Sequence, residues 1–236
     1  MSDILTMVWK ESKDVLFQGG WKSLIRPLFV VGIMGIYLPL QFGSQWVDLT
    51  PLGMLLLLWI PFFVIISFIG DAIAGERERH TLETLLASRM PDRAILLGKI
   101  VATVLYAWGM GVLSLLLGLV LVNLLRTQGN WMFYPLDLFV DALVLSLLVS
   151  VLGASAGVLI SLRVATVRQA QQILSIGTIV LVFGSLFALQ AVPANVLSSL
   201  TYSQSLLIEM AVIAVLDAIL LGLSLVSFQR SRLILS

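Results

Sequence analysis

Long stretches of this chain carry no charge at all. Between consecutive Asp, Glu, Lys and Arg residues, uncharged runs extend from Pro27 to Val47, Leu49 to Gly70, Ile100 to Leu125, Ala142 to Leu162 and Gln169 to Ile208. A bilayer hydrocarbon core about 30 Å thick is crossed by about 20 mostly apolar helical residues. The first four runs therefore predict one membrane span each, and the fifth predicts one near Ile173 to Val192. A sixth span is predicted from about Ser205 to Phe228, with Glu209 near one end and Asp217 in its middle. The fold expected is an all-α polytopic membrane protein of six transmembrane helices.

Two polar stretches break this pattern. In residues 1–26, Ile4, Leu5, Val8, Val15 and Leu16 recur at near-helical spacing with Lys10, Glu11, Lys13 and Asp14 between them. This predicts an amphipathic helix on the inner leaflet, ended by Gly19-Gly20. No short apolar core followed by a small-residue cleavage site is present, so no cleaved signal peptide is expected. The second stretch, residues 71–99, reads from Gly70 as GDAIAGERERHTLETLLASRMPDRAILLGK. Leu82, Leu85 and Leu86 at i, i+3 and i+4 predict a short helix from Thr81, which Pro91 breaks. Asp92 is placed to cap a second helix from Arg93. Continued to Leu125, that helix would have 33 residues and a length of about 50 Å, so its start should protrude from the membrane. A helical hairpin just below the bilayer is expected, within a single transmembrane domain spanning residues 1–236.

Charge fixes the orientation of this arrangement. With six crossings, one side receives Lys10, Lys13, Lys22, Arg26, Arg77, Arg79, Arg89, Arg93, Lys99, Arg163, Arg168, Arg230 and Arg232, and the other receives only Arg126. Such asymmetry places both termini and the loops after spans two and four in the cytoplasm. Tyr37, Trp46, Trp131, Tyr134 and Tyr202 then fall near the outer interface, and Trp9 and Trp21 near the inner one. Composition agrees: of 236 residues, 59% are apolar and 11% charged, against about 45–50% and about 25% in soluble domains. Disorder, disulfide scaffolds and nucleic-acid binding are excluded together, and the absence of Cys removes thiolate metal sites.

The run Gly75-Glu76-Arg77-Glu78, then Thr81-Leu82-Glu83 with Leu85-Leu86, then Pro91 and Leu97-Gly98-Lys99, resembles the signature after the second span of ABC type 2 permeases. These are the six-span membrane subunits of ATP-driven exporters. The resemblance extends to the chain length, the cytoplasmic termini and an amphipathic N-terminal segment containing Lys10-Glu11. His80 stands where the family commonly has a small residue, often Gly, and Asp92 where a hydroxyl residue is frequent. The resemblance implies a permease that binds a separate ATP-binding subunit through a coupling segment. Glu76, Glu78, Thr81, Leu82, Glu83, Leu85 and Leu86 would form that contact, with leucines in a groove and carboxylates at its rim. It also implies a second permease, identical or similar, and places ATP and Mg on the partner subunit, with no cofactor held by this chain. The sequence fits that dependence. A phosphate loop ending at Gly98-Lys99 would need Gly where Arg93 stands and Ser or Thr where Ile100 stands.

Asp217 is the other residue with chemistry to explain. A charge at mid-bilayer costs roughly 2.5–3.5 kcal/mol on insertion scales, so the side chain should face the protein interior. It is a candidate for the substrate path, or a hydrogen-bonded carboxyl between helices. Ala214, Ala218 and Gly222, at small-xxx-small spacing, allow a neighbouring helix to approach. The competing function is an ion-coupled secondary transporter that titrates Asp217. In Gly153-Ala154-Ser155-Ala156-Gly157, G-x-x-x-G spacing points to helix packing. A serine hydrolase would need a general base within reach, and the single His, His80, lies in the cytoplasmic loop. Pro39 and Pro61 are expected to kink spans one and two. The expected location is the plasma (inner) membrane; the transported substrate has no signature in the chain.

Overall fold

Proline and charge set the ends of the helices. The computed structural model describes residues 2–13, 25, 28–48, 60–66, 68–69, 73–81, 90–125, 131–191 and 202–228. In chain order the elements are α1 (Ser2–Lys13), α2 (Leu28–Phe42), α3 (Ser44–Val47), α4 (Ala74–Glu78), α5 (Asp92–Leu125), α6 (Leu136–Arg163), α7 (Val167–Ala191) and α8 (Tyr202–Ser227). Residues 60–66 and 68–69 are also helical, and no strand occurs among the described residues.

The helix expected from Arg93 begins one residue earlier, immediately after Pro91, whose carbonyl accepts from the Ala94 and Ile95 N–H groups at 2.8 and 3.2 Å. Its 34 residues make a rod of about 51 Å, well beyond the thickness of a bilayer core. Helix α6 starts directly after Pro135 and stops where Val164 becomes extended, at φ −106° and ψ 152°. Helix α6 begins six residues, and α7 two residues, before the uncharged runs that predicted them. Asp137, Asp141 and Arg168 continue the helices through their hydrated ends.

Pro39 has a local consequence. A proline inside an α-helix lacks an N–H, and its ring runs into the carbonyl four residues earlier, here that of Gly35. The turn before it is widened to a π-helix over Ile33–Tyr37, with the Leu38 N–H bonded to the Ile33 carbonyl. Helix α2 then ends at Gly43, whose φ of 57° and ψ of −128° suit a residue without a Cβ.

Helix α5 is the axis of the assembly: α1, α2, α3 and α6 all pack on it, while α6 in turn carries α7 and α8. The two glycines of the G-x-x-x-G stretch face the helical residues 60–66 and 68–69. A Cβ on Gly153 would lie 3.0 Å from Ile65 Cδ1, and one on Gly157 would overlap the Ile69 side chain. This is close packing through small residues, which substitutes for the hydrophobic driving force that lipid removes. At the end remote from α4, Asn123 bonds both main-chain groups of Met132, accepting from its N–H at 2.7 Å and donating to its carbonyl at 2.9 Å. The Tyr134 hydroxyl donates to the Leu115 carbonyl at 2.9 Å, and burial raises the pKa of this phenol above its ordinary value. Trp108 Nε1 donates to the Leu143 carbonyl, tying α5 to α6.

Among the described residues, three helices, Asp92–Leu125, Leu136–Arg163 and Gln204–Ser227, are long and apolar enough to cross a membrane. Helices α7 and α8 expose apolar side chains along much of their length, among them Ile176, Val180 and Phe183 on α7 and Val212, Val215 and Ile219 on α8. Water does not tolerate an exterior of this kind and lipid does. The protein is an integral membrane protein.

Candidate functional site

Around α4, three successive side chains reach three different parts of the molecule. The stretch 73–81 enters the site pinned to α6: the Ile73 and Ala74 N–H groups donate to Ser161 Oγ at 3.3 and 2.9 Å. One turn later it reaches Glu76, which is only 6% exposed. Glu76 Oε1 accepts from Lys99 Nζ at 2.9 Å, and the same ammonium donates to Glu11 Oε1 at 2.9 Å. Lys10 Nζ stands 3.5 Å from Glu76 Oε1 and 3.4 Å from Glu11 Oε1. Two ammonium groups and two carboxylates thus neutralise one another where α1, α4 and α5 meet.

Close contact of α1 with α5 makes this cluster possible. Met7 is fully buried over Gly98, and a Cβ added at Gly98 would lie 2.5 Å from the Met7 Cβ. Glu11, four residues after Met7, shares its helix face and so arrives beside Lys99. Lys99 is 2% exposed. A charge buried this deeply is tolerated only when paired.

Arg77 and Glu78 turn away from the cluster. Arg77 Nη1 donates to the Val164 carbonyl at 2.7 Å and Nη2 to the Leu162 carbonyl at 3.5 Å, so its charge lies against the negative end of α6. Glu78 Oε1 accepts from the Val167 N–H at 2.9 Å, capping the positive end of α7. Beside it, Glu78, Thr166, Val167, Arg168 and Gln171 line an open recess of about 550 Å³. The stretch closes on itself when the Thr81 N–H and hydroxyl both donate to the Glu76 carbonyl, at 2.9 and 3.3 Å. Between them His80 takes a φ of 56°, in the left-handed region that glycine enters most readily.

Of the residues singled out from sequence, Thr81 meets the Glu76 carbonyl, while the carboxylates of Glu76 and Glu78 part to different helices. Glu76 turns inward, Glu78 is exposed and engaged with α7, and Thr81 is exposed. Leu82, Glu83, Leu85 and Leu86 lie outside the described residues. The sequence reading did not name Glu11, Arg77, Lys99 or Ser161 as site residues. For Lys99 a signal existed: a charge flanked by Gly98 and Ile100 at the start of an apolar helix demands a partner.

Asp217 occupies a separate place, in the seam between α8 and α6. It is 5% exposed, and neither of its carboxyl oxygens has a hydrogen-bond partner among the described residues. Ser224, seven residues on and therefore on the same helix face, donates to the Ser155 carbonyl of α6 at 3.3 Å. Among the described residues, no three His, Cys, Asp or Glu side chains converge to hold a metal ion.

A search of curated proteins finds none that matches this chain. The family model described as ABC-2 family transporter protein matches residues 30–234. The match begins within α2 and covers every helix from α3 to α8, including Glu76, Arg77, Glu78, Lys99 and Ser161. The chain belongs to the ABC-2 transporter family.

Proposed function

We propose that this chain is the permease subunit of an ATP-driven exporter, crossing the plasma membrane six times with both termini in the cytoplasm and working with separate ATP-binding subunits. The family match over residues 30–234 carries this reading. The positive-inside distribution supports the orientation, and on that orientation the charged cluster around α4 lies at the cytoplasmic face. The absence of a phosphate loop from these 236 residues supports the dependence on a partner.

In this reading the partner contact is made by residues 76–86. Leu82, Leu85 and Leu86 supply the apolar part and Glu83, Glu76, Glu78 and Thr81 the polar part; Glu76 and Glu78 also tie the segment to the membrane domain, and Thr81 closes it on the Glu76 carbonyl. Two permeases, identical or similar, enclose the pathway, and ATP with Mg binds on the partner subunits. The paired partners alternate the pathway between inward and outward access as ATP is bound and hydrolysed.

A second reading, ion-coupled transport through Asp217, draws on the two buried carboxyl oxygens of that residue, which find no hydrogen-bond partner among the described residues. One experiment separates the two. Purification of this chain in mild detergent from its native membrane, followed by mass spectrometry, should recover an ATP-binding subunit in equal amount. A chain that purifies alone refutes the exporter reading and favours the ion-coupled one.

A further inference from the structure

We infer that the triplet Glu76-Arg77-Glu78 is a splint that makes the cytoplasmic ends of α1, α5, α6 and α7 move as one block when the adjoining coupling segment is driven. The inference rests on the permease reading, and it assigns to this triplet a role distinct from touching the partner.

The argument begins with helix geometry. Successive residues of a helix point about 100° apart, so three consecutive long side chains sweep most of the circumference of α4. Each finds a different helix. Glu76 reaches Lys99 of α5 and, through that ammonium, Glu11 of α1. Arg77 reaches the carbonyls of Leu162 and Val164 at the end of α6. Glu78 reaches the first N–H of α7. Helices α6 and α7 are separated only by Val164, Ala165 and Thr166, which brings their opposite dipole ends within reach of one Arg-Glu dipeptide. Each charge meets the helix end of opposite sign. Ser161 adds a further tie by accepting from the Ile73 and Ala74 N–H groups. A displacement entering at Thr81 is thereby delivered to four helices at once, with Arg77 and Glu78 as positioning residues for α6 and α7.

The chain contains no Cys, so it contributes no thiol beside the introduced pairs. The exposed positions Lys13 on α1, Arg93 on α5, Gln172 on α7 and Leu207 at the far end of α8 serve as label sites. Label distances are measured in the complex purified through this chain with its ATP-binding subunit, in lipid nanodiscs, without nucleotide and with ATP plus vanadate. In the otherwise unaltered chain the pairs Lys13→Cys/Arg93→Cys and Arg93→Cys/Gln172→Cys should each keep one distance in both states, while Arg93→Cys/Leu207→Cys shifts. Arg77→Ala/Glu78→Ala should make the 93–172 distance shift or split with nucleotide, with 13–93 unchanged. Arg77→Lys/Glu78→Gln retains a donor and an acceptor and should restore a single 93–172 distance. If 93–172 shifts with nucleotide in the unaltered complex, or 93–207 does not shift, or Arg77→Ala/Glu78→Ala changes nothing, the splint is refuted while the permease reading stands. A chain recovered with no ATP-binding subunit refutes the permease reading and the splint with it.

Discussion

Lys99 follows the glycine on which α1 rests, and its ammonium is shared between two carboxylates from different elements. Removing one partner from such a cluster leaves an uncompensated buried charge, at a cost of about 3–5 kcal/mol. Lys99→Met should therefore lower the thermal unfolding midpoint in detergent strongly. Adding Glu11→Gln and Glu76→Gln to that variant should recover much of the loss, because the one charge of the cluster that remains, Lys10, reaches water with a side chain 43% exposed. The partners of Lys99 were not legible in the sequence, since Glu76 lies 23 positions away and Glu11 lies 88 away. Only the folded chain brings these groups within 3 Å. His80 is the opposite case. The family signature favours a small residue there, and the structure supplies the reason in a φ of 56°. Non-glycine residues bear roughly 1–2 kcal/mol of strain in that region, offset by the greater unfolded-state entropy of glycine. His80→Gly should be neutral or stabilising by up to about 1 kcal/mol, whereas a β-branched His80→Val should lower the unfolding midpoint.

At the scale of elements, the N-terminal helix was legible as amphipathic but not in its orientation. The sequence offers Ile4, Leu5 and Val8 as its apolar face, yet Met7 is the residue fully buried against α5, and Leu5 and Trp9 are exposed. Two faces of α1 are apolar enough to bury, and Gly98 decides between them by opening a gap that Met7 fills. Gly98→Val should push α1 away from α5 at an overpacking cost of about 1–3 kcal/mol. Faster hydrogen exchange across residues 2–13 would report the release, and unchanged protection in α6 would show that the effect is local. The π turn of α2 was likewise out of reach of a periodicity reading. Pro39 announces that an α-helical register must fail nearby, but how it fails is a matter of tertiary packing. A Cβ on Gly35, inside that turn, would lie 3.0 Å from the Ser114 Cα of α5, so the widened turn is pressed directly against its neighbour.

For the whole molecule, hydrophobic content located the helices because a chain in lipid must satisfy its backbone hydrogen bonds within each spanning helix. The same property concealed their packing. Leu206 and Leu207 are consecutive and chemically identical, yet one is 8% exposed and the other 65%, because lipid and protein interior are equally apolar. Charges and glycines, being rarer, are the positions where the assembly leaves a trace in the sequence, as at Lys99, Gly98 and Gly157. This distinction separates residues that hold the membrane domain together from those proposed to hold its partner. Lys99→Met acts on the first kind and should reduce stability whether or not a partner is bound. Leu86→Asp acts on the second, placing a carboxylate where an apolar anchor is proposed to enter a groove. Loss of an interface anchor costs about 2 kcal/mol or more, which corresponds to about 30-fold in affinity. The Leu86→Asp chain should therefore reach the membrane at the wild-type level and unfold at the wild-type temperature, while its affinity for the ATP-binding subunit falls by about that factor and less subunit is recovered with it. Equal loss of partner and of membrane level would instead make Leu86 a residue of the membrane domain's own packing.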